Sequence, residues 1–92
     1  MEKLKFSLTI DCVFNILTKG ILATGTVDIG EINEGDELEL VDCDSTIKAK
    51  CFGIEKKLKP VKNAKQGDYI GIILSGVSRY DVCKGMQIQI KE

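Results

Sequence analysis

Leu4-Lys5-Phe6-Ser7-Leu8-Thr9-Ile10 carries an apolar side chain at every second position. Successive side chains of a strand point to opposite faces, so a period of two buries one face and leaves the other to water. The alternation returns at Leu38 and Leu40 and again at Met86, Ile88 and Ile90. Residues 21–29, 47–54 and 69–74 form further runs rich in β-branched side chains, which suit a pleated, half-buried surface. Glycines punctuate these runs at the spacing of an all-β barrel or sandwich. Only residues 80–84 invite a helical turn.

Three strand starts share one local pattern: Glu34-Gly35-Asp36-Glu37-Leu38, Gln66-Gly67-Asp68-Tyr69-Ile70 and Lys84-Gly85-Met86-Gln87-Ile88. A Gly just before an extended segment takes positive φ at little cost, and an Asp beside it can accept from nearby backbone amides. The pattern predicts turns that launch strands. No longer repeat, linker or low-complexity segment interrupts the chain.

Ninety-two residues, 43% hydrophobic and 29% charged, suffice for one small domain with one compact core. Thirteen Lys and Arg against fourteen Asp and Glu give a net charge of −1, which argues against a generic electrostatic nucleic-acid binder and makes any such contact local. Residues 28–44 hold eight acids and no base, whereas residues 48–65 hold seven lysines against Glu55 alone, so a dipolar molecule is expected. Lys56, Lys57, Lys59, Lys62 and Lys65 fall in the least strand-like part of the chain, a basic loop able to touch phosphates through charge. The other reading of that loop is a solvated face that keeps a small barrel in solution.

The missing chemistry narrows function further. With no histidine the chain lacks the commonest general base and metal ligand, and every Ser-His or Cys-His nucleophile pair. It contains neither a G-x-x-x-x-G-K-[ST] phosphate loop nor a G-x-G-x-x-G fingerprint, so neither GTP binding nor GTP hydrolysis is expected. Cys12, Cys43, Cys51 and Cys83 include no C-x-x-C pair, so no zinc site is expected, although Cys43 and Cys51 could meet across a hairpin. Four reduced thiols are the expectation. Asp11, Asp68 and Asp81 suit turn and surface roles better than an acid/base pair. No apolar run approaches membrane-spanning length, so the expectation is a soluble, cytoplasmic, non-catalytic chain without cofactor or metal and with no membrane or DNA partner.

Residues 9–41 read T-I-D-C-V-F-N-I-L-T-K-G-I-L-A-T-G-T-V-D-I-G-E-I-N-E-G-D-E-L-E-L-V. This closely resembles the second domain of elongation factor Tu and other translational GTPases. The likeness continues through Phe52-Gly53-Ile54-Glu55, through Ala64-Lys65-Gln66-Gly67-Asp68-Tyr69-Ile70-Gly71-Ile72-Ile73-Leu74, and into Ser78-Arg79-Tyr80-Asp81-Val82-Cys83-Lys84-Gly85-Met86. It covers residues 6–90 in unbroken order. The resemblance implies a closed six-stranded antiparallel β-barrel that packs against a GTP-binding domain and meets RNA, either the acceptor end of tRNA or the ribosome. It also implies that Phe14 and Ile16 form an apolar wall for a terminal adenine and that Glu55 supplies a carboxylate to that nucleotide. Such a set makes chemical sense, because a base packs on an apolar face while a carboxylate accepts from its amino group or from ribose hydroxyls.

Two positions depart from the family pattern. Lys19-Gly20 replaces an Arg-Gly, and Tyr69 replaces a polar Asn, where it would crowd or reshape an aminoacyl pocket. Two functions follow as expectations. In one, the chain is an RNA- or ribosome-binding module whose surface is Phe14, Ile16, Glu55 and the phosphate-contacting lysines Lys56, Lys57, Lys59 and Lys62. In the other, it is a protein-interaction barrel that docks a GTPase domain or another protein, unrelated to translation. Phe14, Ile16, Glu55 and the lysines also have plainer readings, as core residues and as surface ion pairs.

Overall fold

The computed structural model describes residues 3–16 and 20–92, which leaves Lys19 outside the described residues. Nine strands follow in chain order: β1 (Leu4–Thr9), β2 (Cys12–Ile16), β3 (Gly20–Asn33), β4 (Glu37–Val41), β5 (Thr46–Lys56), β6 (Lys59–Val61), β7 (Asn63–Lys65), β8 (Tyr69–Ser75) and β9 (Gln87–Lys91). Six of them form a closed antiparallel barrel in the order β1-β9-β4-β5-β8-β3, and the β3–β1 pairing completes the ring. The short strands β2, β6 and β7 lie off this ring, β2 and β7 on β3 and β6 on β5. Closure leaves no long edge open in the ring to recruit a foreign strand. Among the described residues, no helix is long and apolar enough to cross a membrane.

The alternation read from the sequence is the inward face. Phe6, Leu8 and Ile10, Leu38 and Leu40, Ile70, Ile72 and Leu74, and Ile88 are all enclosed in one core. Each such side chain removed from water contributes about 1.5–3 kcal/mol. The long strand β3 serves two edges of the barrel. Its first half lies between β2 and β8, and its second half pairs with β1 and β7.

The turns that launch strands work as expected, with one substitution of chemistry. Gly35, Gly67 and Gly85 have φ of +94°, +93° and +94°. Asp36 accepts from the Asn33 amide at 2.8 Å and Asp68 from the Lys65 amide at 3.1 Å. In the third turn the Met86 sulfur takes the aspartate's place and accepts from the Cys83 amide at 3.3 Å. Asp81 likewise has a turn role, accepting from the Ser78 amide at 2.8 Å.

Three expectations are corrected. The helical turn is a 3₁₀ turn over Arg79–Asp81, because Val82 adopts extended backbone and is buried in the core. The lysine segment is no loop: Lys56 ends β5, β6 returns along it, and β7 pairs with β3. Strands of three residues are too short to show alternation, which is why the sequence hides them. Charge segregation along the chain also dissolves across strands. Register sets Glu37 opposite Lys50, Glu39 opposite Lys48 and Glu31 opposite Lys65, and Lys91 adds an ion pair to Glu39 at 3.3 Å. What survives is a polarity along β5, with Asp42 and Asp44 before one end and Lys56, Lys57 and Lys59 at the other.

Candidate functional site

The outer wall formed by β2, β3, β8 and β5 carries the side chains the resemblance singles out. Register aligns two rows across these four strands. One row runs Cys12, Thr24, Gly71, Glu55, and its neighbour runs Phe14, Leu22, Ile73, Gly53. The glycines make the wall uneven. Leu22 leans across Gly71, so a Cβ at Gly71 would stand 2.8 Å from Leu22 Cδ1. The result is an apolar floor of Leu22 and bare Gly71 backbone, overlooked by Glu55.

A groove of about 510 Å³ lies over that floor. Tyr69 and Leu58 line it, and Glu55, Lys56 and Lys57 bring charge to it. The Tyr69 hydroxyl donates to Asp11 Oδ2 at 2.9 Å and lies 3.2 Å from Thr24 Oγ1, which fixes the ring in place. Lys56 pairs with Asp68 Oδ1 at 3.1 Å. The Lys65 amide, together with Lys56, holds the Asp68 carboxyl below its ordinary value of 3.8. The β5–β6 connection brings Lys57 and Leu58 to the groove in left-handed backbone, φ +54° and +66°, and leaves Leu58 92% exposed. Two non-glycine residues in that region make a strained form of a tight hairpin turn.

The sequence-derived residues separate into two places. Glu55 and the lysines 56 and 57 border the groove. Phe14, 49% exposed, stands three strands from Glu55, about 14 Å at the usual strand spacing. It lines a second concavity of about 400 Å³ with Arg79 and Lys84, two cations that no sequence pattern connects to it. Ile16 is half-buried at the end of β2, opposite Gly20. Lys59 and Lys62 are exposed, Lys59 in β6 and Lys62 just after it. Cys51 lies in the core while Cys43 lies in the β4–β5 connection, so these two do not meet across the hairpin.

Leu22 and Gly71 are the groove residues that sequence reading missed, whereas Tyr69, expected by likeness to reshape a pocket, does line the groove. The runs 21–29 and 69–74 are nearly continuous in apolar residues, so alternation cannot tell which face each side chain takes. A larger concavity of about 910 Å³ lies over β4, β5 and β9, but opposed charges such as Glu39 with Lys48 and Lys91 fill its wall. Its chemistry is internally matched, and the smaller groove is the better candidate. Among the described residues, no three His, Cys, Asp or Glu side chains are grouped to hold a metal ion. No family model matches the chain.

Proposed function

We propose that this chain is a non-catalytic RNA-binding module of the translation-factor type, acting in the cytoplasm, whose groove takes the terminal base of an RNA 3′ end. The reading rests on one observation: a carboxylate, Glu55, beside an apolar floor of Leu22 and Gly71, with a fixed aromatic wall and lysines at the rim. The floor offers a packing surface to a base, Glu55 accepts from an amino or ribose hydroxyl group, and Lys57 meets the adjoining phosphate. Phe14 with Arg79 and Lys84 extends the same wall and suits the preceding nucleotides, an aromatic face beside two phosphate-binding cations. A GTPase domain packed against the wall would close the site, and without it affinity falls in the non-specific range of roughly 10⁻⁴ to 10⁻⁶ M.

Exposed Phe14, Phe52, Leu58 and Tyr69 on this wall favour a second reading, the docking of a protein in place of RNA. One titration separates them. A short CCA-ended RNA added to labelled protein should shift the amides of Glu55, Gly71 and Tyr69, and salt should weaken the binding steeply. Shifts confined to other residues would sink the groove assignment and favour protein docking, which salt weakens little.

A further inference from the structure

Cys12 and Cys83 are exposed and line the same concavity of about 400 Å³, together with Asp11, Phe14, Arg79 and Lys84. Backbone hydrogen bonds bring their segments together. The Ile10 amide donates to the Met86 carbonyl at 2.8 Å, and the Gly85 amide donates to the Ile10 carbonyl at 2.8 Å. The turn that Cys83 opens closes through the Met86 amide to the Cys83 carbonyl at 3.3 Å. The turn is thereby held beside the residue two before Cys12. The other thiols are placed differently: Cys51 is wholly enclosed, and Cys43 precedes β5, at the end remote from the row that joins Cys12 to Glu55.

We propose that Cys12 and Cys83 are a redox modification site, joined by oxidised glutathione into a reversible cross-link between β2 and the 83–86 turn. The Cys83 thiolate, beside Lys84 and Arg79, attacks one sulfur of oxidised glutathione, breaks its S–S bond and releases one glutathione thiolate. The Cys12 thiolate then attacks Cys83 in the mixed disulfide, forms the Cys12–Cys83 bond and releases the second glutathione. Two protein thiols lose two electrons and two protons, and one glutathione disulfide becomes two thiols. Cys12 is the poorer first nucleophile, because its thiol donates to Asp11 Oδ1 at 3.3 Å and that carboxylate keeps it protonated above its ordinary range; it therefore reacts second, giving up its proton to solvent as it attacks the adjacent mixed disulfide. Asp11 also holds Tyr69, so oxidation removes a donor from the carboxylate that fixes the groove wall. The site stands whether or not the groove binds RNA.

The test uses the full chain with Cys43→Ser, treated with excess oxidised glutathione and read by intact mass and peptide mapping. The expected product has lost two hydrogens, carries one link between the Cys12 and Cys83 peptides, and returns to the dithiol with dithiothreitol. Adding Cys12→Ser or Cys83→Ser should abolish the link and leave one glutathione on the remaining thiol. Glutathione on both thiols without a link, a link between two molecules, or unreacted thiols would each overturn the proposal.

Discussion

Gly71 shows how one missing side chain makes a site. In Gly71→Val the new side chain would meet the far end of Leu22, which can swing aside, so the barrel should survive. The floor it raises would fill the groove. Loss of RNA-induced shifts at Glu55 and Tyr69 with an unchanged unfolding midpoint is the expected outcome, and an unfolded variant would place Gly71 in the scaffold instead. Phe14→Ala should cost RNA affinity about 1–3 kcal/mol, five- to a hundredfold or more, if the second concavity takes a base. Glu55→Gln should narrow the preference for a terminal adenosine over other ends more than it lowers overall affinity, measured by competition between RNAs differing in the last nucleotide. Lys57→Ala, by contrast, should weaken all RNAs alike and flatten the salt dependence.

Among the elements, the β5–β6 hairpin tests whether a strained turn is kept for a purpose. Replacing Lys57-Leu58 with Asn-Gly supplies residues that adopt left-handed backbone readily, and should stabilise the barrel by about 1–2 kcal/mol. The same change removes a wall of the groove and a rim charge, so denaturant midpoint and RNA affinity should move in opposite directions. Asp68, at the foot of this hairpin, sets a pH response. Its folded carboxyl titrates below 3.8, so its contribution is present above that value and is lost as pH falls through the folded value. Asp68→Asn should therefore flatten the acid limb of the stability profile below about pH 4. The long strands of the barrel were legible because period-two alternation is the physical consequence of one dry face, as Phe6, Leu8 and Ile10 show. The groove was not. Leu22 and Ile73 sit on the outer face yet are covered, Ile73 almost wholly and Leu22 for the most part, so the runs that hold them give no alternation to read. Glu55 could be named only by likeness, since its neighbours Gly71 and Tyr69 are distant in the chain and meet it through register alone.

Over the whole molecule, closure depends on how near β1 comes to β3. A Cβ at Gly30 would overlap the carbonyl oxygen of Lys5, and Gly30 has φ +72°. Gly30→Ala should therefore lower the unfolding midpoint sharply while far-UV spectra below it stay strand-rich; a midpoint like that of the parent would show that β1 can retreat at little cost. The enclosed Cys51 thiol sets an alkaline limit. Burial raises its pKa to about 11 from an ordinary 9.0, so the folded state holds a proton that the unfolded chain releases. This thiol leaves stability unchanged below pH 9 and lowers it between 9 and 11, and Cys51→Ala or Cys51→Val should remove that decline from pH-dependent melts.

The barrel's last strand holds two others. β9 lies between β1 and β4, and Leu4 pairs with Lys91. During synthesis, therefore, every strand from β1 to β8 leaves the ribosome before the piece that joins the first to the fourth exists. Until Lys91 is clear of the exit tunnel, the nascent chain is an open sheet with two unsatisfied edges and a core wet along one seam. Pairings so far apart in sequence also form slowly once available. The interval of exposure is set by translation as well as by folding, and throughout it the open seam is the surface on which an unfinished barrel would aggregate.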